Sequence, residues 1–476
     1  MLVGSVWRAL LILVVLIAAA GDARADRWFD IVTGEGARLG YASREETATE
    51  GGRTITDRQQ YYLREQNSRS TRVSSVIVRR EDASGRTTEI RETTDTNGFT
   101  SETHALIAEG RAQITLETRS GRWSQAIPLT GDVRFDGGEA LFRAWDPHAA
   151  PRLEFNAFNM DALGVERVVV EASERGADSQ INAIRRRFDG DQLRGVSRIV
   201  LDREGRVVEA AQPVFGQTIW FRRGERDAVM QPHSPYAVVP NSMIRSPVRI
   251  TMEARRGHIR YRFSYRDGLE FAPPVTGEQR QARDGDALIV DICESCGPGL
   301  ADDPAALAEA LRPTAWLQSD HPRLTAIAGP IARLDVSDQR KMEMLITRAQ
   351  RYLGDLDFNG HYSALDTITR RAGDCTEAAV LLAALGRGAG IPTRVVSGLA
   401  YSRENYHGVS NAFMPHSWTL AYVDGQWRSF DLALGAFDST HIALTIGDGD
   451  ARSIAAAGQL ASLLVFDGLA EVRVRR

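Results

Sequence analysis

From Trp28 to about Trp220, short runs of apolar and β-branched residues alternate with turn signals. Val73-Ser-Ser-Val-Ile-Val-Arg, Val168-Val-Val-Glu-Ala and Val196-Ser-Arg-Ile-Val-Leu read as strands, and Ala112-Gln-Ile-Thr-Leu-Glu alternates apolar with polar. Between such runs stand Gly51-Gly52, Ser84-Gly85, Asn97-Gly98, Ser120-Gly121, Asp189-Gly190 and Glu204-Gly205. Short strands broken by glycine-bearing turns, with few helical periods, predict an antiparallel β domain over residues 26–230. Clean alternation puts one face of the sheet toward solvent. The pattern leaves sandwich, barrel and half-open curved sheet equally open. Residues 231–300 read as a β-rich connecting region: Gln231-Pro-His-Ser-Pro-Tyr is a linker, and strands follow between about Val248 and Ile292. From Pro304 the character turns helical, over Ala305 to Leu311 and Gln339 to Leu353.

The segment after Leu353 carries the chemistry. Asp374 can cap a helix and Glu377 completes a capping-box pair, so Cys375 falls at the first helical position. The Ala- and Leu-rich run through Arg387 predicts a buried helix, ended by Gly388, Gly390 and Pro392. Backbone N–H groups and the helix dipole at such a position favour a thiolate, against some opposition from Glu377. Two strands follow: Thr393 to Tyr401, then His416-Ser-Trp-Thr-Leu-Ala-Tyr-Val, which turns through Asp424-Gly425 into Gln426-Trp-Arg-Ser-Phe-Asp431. Asp-Gly between such runs predicts a two-residue hairpin. That register pairs Val423 with Gln426, sets Asp431 opposite Trp418, and leaves Asp431 a diagonal neighbour of His416, with Cβ atoms roughly 7–8 Å apart. A three-residue loop would throw Asp431 to the opposite face. A cysteine at a helix start, with histidine and aspartate on one face of a hairpin, is the layout of a nucleophile, base and orienting acid. Cys375, His416 and Asp431 are therefore the candidate catalytic residues. The Cys375 N–H is a natural oxyanion donor, with Tyr362 a conceivable second.

Gly373-Asp-Cys-Thr-Glu, Gly390-Ile-Pro-Thr-Arg with Gly398 and Tyr401, His416-x-Trp418, and Trp427 followed by Asp431 together resemble the transglutaminase-like superfamily. The order Cys, His, Asp matches, with 41 and 15 residues between successive members (416 − 375 and 431 − 416). Asp438-Ser-Thr-His-Ile is similar to the segment after the catalytic aspartate in bacterial exported members. The resemblance spans roughly residues 335–450, inside a catalytic domain expected over 301–476. It implies an α+β fold: a papain-like, transglutaminase-like core with a helix-borne cysteine on an antiparallel sheet, preceded by the large β domain. It also implies thioester chemistry on protein or peptide amides, with no cofactor. Ala378 and Leu432-Ala433 depart from the family pattern, away from the three catalytic positions.

Blander readings exist for each residue. Cys375 could be a core cysteine, Asp431 could cap the hairpin, and Trp418 and Trp427 suit packing. His441 either orders the site or faces solvent. A catalytically inactive scaffold acting through its β domain is the alternative function, and a sealed Cys375 would favour it. A third reading, an apolar-ligand carrier, needs a continuous cavity in that domain.

The remaining features locate the chain. Arg8 precedes an apolar run of twelve residues, Ala9 to Ala20, followed by Ala23-Arg24-Ala25. This is a secretory signal peptide over residues 1–25, since a span needs about 20 apolar residues. A periplasmic or otherwise exported protein is expected, without membrane association after cleavage. In an oxidising compartment Cys293 and Cys296 are near enough to pair, which leaves Cys375 as the odd thiol. No second CxxC or HxxxH accompanies them, so no metal is expected. Composition, 43% hydrophobic and 25% charged, is that of a folded soluble protein, and a net charge of −4 offers no basic reservoir for nucleic acid. The expected partner is a protein or peptide substrate.

Overall fold

A computed structural model describes residues 27–64, 70–175, 180–214, 216–233, 243–356, 361–404 and 409–472. The expected signal peptide lies outside the described residues, as does half of the expected linker. The chain divides into two compact units, with the boundary between Val238 and Val239.

Among the described residues the first unit is built from one sheet of fifteen strands, from Arg27–Thr33 to Gln217–Gly224, antiparallel except where Val133–Arg134 pairs in parallel with Arg152–Asn159. Consecutive strands pair, except Gly121–Pro128 with Val133–Arg134, and the first strand also pairs with the last. The two edges of the sheet are Gly121–Pro128 and Val133–Arg134, which only four residues separate. Laid flat, fifteen strands would span about 70 Å, whereas four linking residues reach about 17 Å. The sheet must therefore curl until its edges approach, which selects the barrel-like option among those the sequence left open. The turn glycines make this meander possible: Asn97 and Gly98 both take positive φ (49° and 86°), as a two-residue hairpin demands. Part of its buried face is ionic. Arg44 and Asp57 pair in bidentate fashion at 2.5 Å, both almost fully buried, and Glu139 lies 3.6 Å from the same guanidinium.

The second unit centres on the helix Cys375–Gly388, every residue of which is buried except the last. Its apolar positions pack against helices Pro322–Ala332, Asp338–Ala349 and Ala364–Arg370 through Leu324, Ile331, Met342, Leu345 and Ile368. On its other side lies an antiparallel sheet in the order Ile244–Arg245, Ala412–Val423, Thr393–Ser402, Ile442–Gly447, with Gln426–Phe430 also pairing with Ala412–Val423. A separate four-stranded sheet joins Gln279–Asp284, Ala287–Ile292 and Ile259–Tyr265 to the C-terminal strand Leu464–Glu471. Strands from the region expected to connect two domains thus pair with the end of the chain. The helical readings shift in detail. Pro304–Glu309 and Asp338–Ala349 form near the expected places, while Pro322–Ala332, Ala364–Arg370 and Ala451–Leu463 were not anticipated. Pro330 inside one and the alanine-rich, evenly apolar run of another hide the helical period. The fold is α+β.

Candidate active site

Cys375 starts its helix because Asp374 caps it. The Asp374 carboxylate accepts from the Thr376 N–H at 2.7 Å, and Glu377 accepts from the Asp374 N–H at 2.9 Å, completing the capping box. Glu377 also accepts from the Tyr362 N–H at 3.0 Å, so this carboxyl ties the preceding loop to the helix start. That amide of Tyr362 is therefore committed elsewhere, and it is not the second oxyanion donor.

The histidine is positioned by the sheet. His416 pairs with Gly398 in the central strand, and Gly398 in turn faces the strand that begins at Ile442. A Cβ at 398 would lie 2.0 Å from the Ile442 carbonyl oxygen, so glycine is required for the three strands to close. The hairpin takes the predicted register, Val423 opposite Gln426 through Thr419 opposite Phe430, with Asp424 and Gly425 at positive φ. Asp431 follows immediately. Its Oδ2 lies 2.7 Å from His416 Nε2, and both side chains are buried. Its Oδ1 accepts from the N–H groups of Ala433 and Leu434 at 2.8 and 3.0 Å. With His416 Nε2 donating to Asp431, the imidazole keeps its lone pair on Nδ1, which is buried and has no hydrogen-bond partner. The backbone of Ser417, the residue after His416, acts to favour the anion of the Cys375 sulfur. The structure thus bonds Asp431 to His416, and packs Cys375 against Ala433, two residues beyond Asp431.

Sequence reasoning left one further residue undecided. His441 is buried, and its Nε2 lies 2.9 Å from the same Asp431 Oδ2. Its Nδ1 reaches the Asp438 backbone oxygen at 3.1 Å and Oδ1 at 3.3 Å, and Asp438 is bridged by Arg255 at 2.6 Å. A chain of alternating charge therefore runs Asp431, His441, Asp438, Arg255, with His416 bonded to its near end. The four-stranded sheet holds its far end, since Tyr261 donates to the Ser439 carbonyl at 2.8 Å and the Ser439 N–H donates to that of Arg255. Only the Asp438-Ser-Thr-His segment hinted at His441, and nothing local marks Arg255. Trp418 stacks beside His416 and meets His441 edge-on, with ring centroids 6.2 and 5.2 Å away.

Electrostatics correct one expectation. Helix-start geometry alone favours a thiolate at Cys375, yet here the thiol is pushed well above its ordinary value. Burial is the main cause, followed by the negative charge of Asp374, with Glu377 and Asp431 adding to it; the Ser417 backbone only partly compensates. This direction favours the neutral thiol over the thiolate. The helix dipole contributes at most about 1 kcal/mol at most exposed sites, which does not offset loss of water around a sulfur anion. Burial works against the charge of Asp431 as well, but His416 and then His441 hold its carboxylate well below the usual range. His441 is itself held at about 9: burial disfavours its cation, and hydrogen bonds to Asp431 and Asp438 outweigh burial. Asp438 is lowered to about 2, against burial, chiefly by His441.

Among the described residues, two clusters have metal-ligand chemistry. His416, Asp431 and His441 converge, but the carboxylate oxygen sits at hydrogen-bond distance from both rings. Donors around a tetrahedral ion at about 2.0–2.1 Å would stand roughly 3.3 Å apart. His258 lies near Cys293 and Cys296, whose sulfurs are joined in a disulfide and so are not thiolate ligands.

Next to the site opens a cleft of about 850 Å³, bordered by Arg249, Met252, Arg255, Tyr401 and Arg403 and closed by Ala433 and Leu434. Ala433 packs against the buried pair Cys375 and Met414, while Cys375 itself is 2% exposed.

A cysteine at the start of a buried helix, laid against a sheet that presents a histidine–aspartate pair, defines the α+β class with a papain-like arrangement. Residues 333–432 match the model of the transglutaminase-like superfamily, and this part of the chain is a transglutaminase-like domain. Comparison with curated proteins gives no match. Among solved structures, a β-barrel-like protein of a domain of unknown function from Brucella abortus is 12% identical with a TM-score of 0.34, over 42% of this chain and 95% of its own. The periplasmic domain of TgpA from Pseudomonas aeruginosa, bound to ethylmercury, is 14% identical with a TM-score of 0.26, over 57% of this chain and 73% of its own.

Proposed function

We propose that the chain is a cysteine-dependent enzyme performing acyl transfer or hydrolysis on protein or peptide amide bonds, through a thioester at Cys375. One observation carries this reading: His416 gives Nε2 to Asp431 and keeps a buried, unbonded Nδ1 with which to take a proton. Because the neutral thiol is favoured, His416 must remove its proton as the sulfur attacks the amide carbon, rather than find a thiolate already made. The Cys375 N–H, left without an intrahelical acceptor at the first helical position, supports the oxyanion. The tetrahedral intermediate collapses as the imidazolium returns its proton to the departing amine. Water or a second amine, deprotonated by His416, then takes the acyl group and regenerates the thiol. Asp431 holds the ring in the required tautomer and stabilises the imidazolium. On this reading residues 301–476 form the catalytic domain, residues 26–230 are a separate β domain, and the protein works in the periplasm or beyond after loss of residues 1–25. Among the described residues no helix is long and apolar enough to cross a membrane.

A specific observation favours the alternative of an inactive scaffold, namely the 2% exposure of Cys375. The test is the pH dependence of Cys375 alkylation by iodoacetamide, located by mass spectrometry, in the full chain and in His416→Ala. Reaction that exceeds the rate of an unfolded control and drops about 10²–10⁴-fold in the variant supports general-base activation. Labelling that appears only on unfolding, and is indifferent to His416, assigns the domain to the scaffold reading.

A further inference from the structure

We propose that the cleft beside Cys375 selects acyl donors bearing negative charge, so that the substrates are acidic peptide segments; this rests on the function proposed above. The cleft and the catalytic residues share a wall. Ala433 and Leu434 close the cleft, and their N–H groups hold Asp431 Oδ1 while Ala433 touches the Cys375 pocket. A chain lying in the cleft therefore ends beside the nucleophile.

The charge of its walls is one-sided. Three arginines line it against a single acid, Glu404. Arg255 is answered by Asp438, which does not line the cleft, and it forms the end of the chain leading to Asp431. Arg249 and Arg403 are exposed and make no ion pair among the described residues. Two guanidinium groups are thus available at the rim of a concave site, where low-dielectric walls concentrate their field. A guanidinium fork matches a carboxylate in bidentate fashion, so aspartate or glutamate side chains near the reacting amide are the complementary ligands. Apolar surface from Met252 and Leu434, with the ring of Tyr401, leaves room between these charges for an uncharged side chain. A basic segment entering the same space would meet repulsion at both rims.

The experiment compares alkylation of Cys375 by anionic iodoacetate and neutral iodoacetamide in the full chain at low ionic strength. The same ratio is measured for a free cysteine peptide. The iodoacetate-to-iodoacetamide rate ratio is expected to exceed that of the free thiol by about fivefold, and to fall by about that factor in roughly 0.5 M salt. Because other positive groups near the site also attract an anion, the double variant Arg249→Ala/Arg403→Ala decides the source: the ratio should drop to near the free-thiol value. Circular dichroism establishes that the variant is folded. In parallel, a Glu-rich peptide should slow iodoacetamide labelling of the wild type at concentrations where a Lys-rich peptide of equal length has no effect. A wild-type ratio equal to the free thiol's, or one unchanged in the folded double variant, overturns the proposal and leaves the catalytic reading intact. Failure of both reagents to reach Cys375 in the folded chain overturns both together.

Discussion

His441 is held as a cation between two carboxylates, and the stability of its unit should therefore depend on pH in a calculable way. The ring stands at about 9 against an ordinary 6.5, so the folded state binds its proton more tightly than the unfolded chain does. For a group raised on folding, the contribution is fully present below the unfolded value and is lost as pH rises through the folded one. The interval from 6.5 to about 9 corresponds to about 3 kcal/mol, lost progressively between those two values. Complete burial of His441 means that solvent screening does not reduce this figure much. The perturbation is His441→Gln, whose amide can still donate to Asp431 but does not titrate in this range. Urea unfolding, followed by tryptophan fluorescence near pH 6 and near pH 9.5, gives the two stabilities for each protein. Wild type should lose about 3 kcal/mol more than the variant across that interval. The buried Cys375 thiol adds a loss of the same sign once an unfolded thiol ionises, above about pH 8.5, but it does so equally in both proteins and cancels in the difference. If the two lose the same stability, His441 is not a cation between Asp431 and Asp438, and the alternating chain toward Arg255 is wrongly charged.

Other changes probe the remaining parts of the site. Asp431→Asn removes the anion that orients His416, and alkylation of Cys375 at neutral pH should slow by about 10²–10⁴-fold with the fold retained, as circular dichroism would check. Asp374→Asn keeps a capping oxygen but deletes the charge that, after burial, most raises the thiol; the pH midpoint of Cys375 labelling should move down, and an unmoved midpoint would mean that burial alone sets it. Gly398→Ala places a methyl 2.0 Å from the Ile442 carbonyl oxygen, which should cost about 3 kcal/mol or more and lower the thermal midpoint of this unit by several degrees.

Much of the site was legible because its parts are local. Asp374 and Glu377 lie within one turn of Cys375, so the capping box and the helix start could be read from four residues. The Asp424-Gly425 turn has essentially one geometry, and the register it imposes carried Asp431 to the same face as His416. Helices hidden by an internal proline or an all-round alanine face escaped, because a buried helix has no polar stripe to reveal its period. The electrostatics of Cys375 were only partly legible for a related reason. The helix dipole belongs to the segment, whereas burial under the sheet and the proximity of Asp431 belong to the assembled unit.

By itself, then, the amino-acid order determined the elements and turns whose energetics are short-range: the β meander, the capped cysteine helix and the hairpin that aligns His416 with Asp431. The tertiary structure decided what depends on distant segments meeting. It closed fifteen strands toward a barrel, since the two edge strands come from one short connection. It brought Arg255, 183 residues before Asp438, into one line with Asp438 and His441 behind Asp431. It also set the charge of the thiol, because the free energy of an ion is fixed by how much water and how many neighbouring charges surround it, and neither quantity is written in a local sequence window.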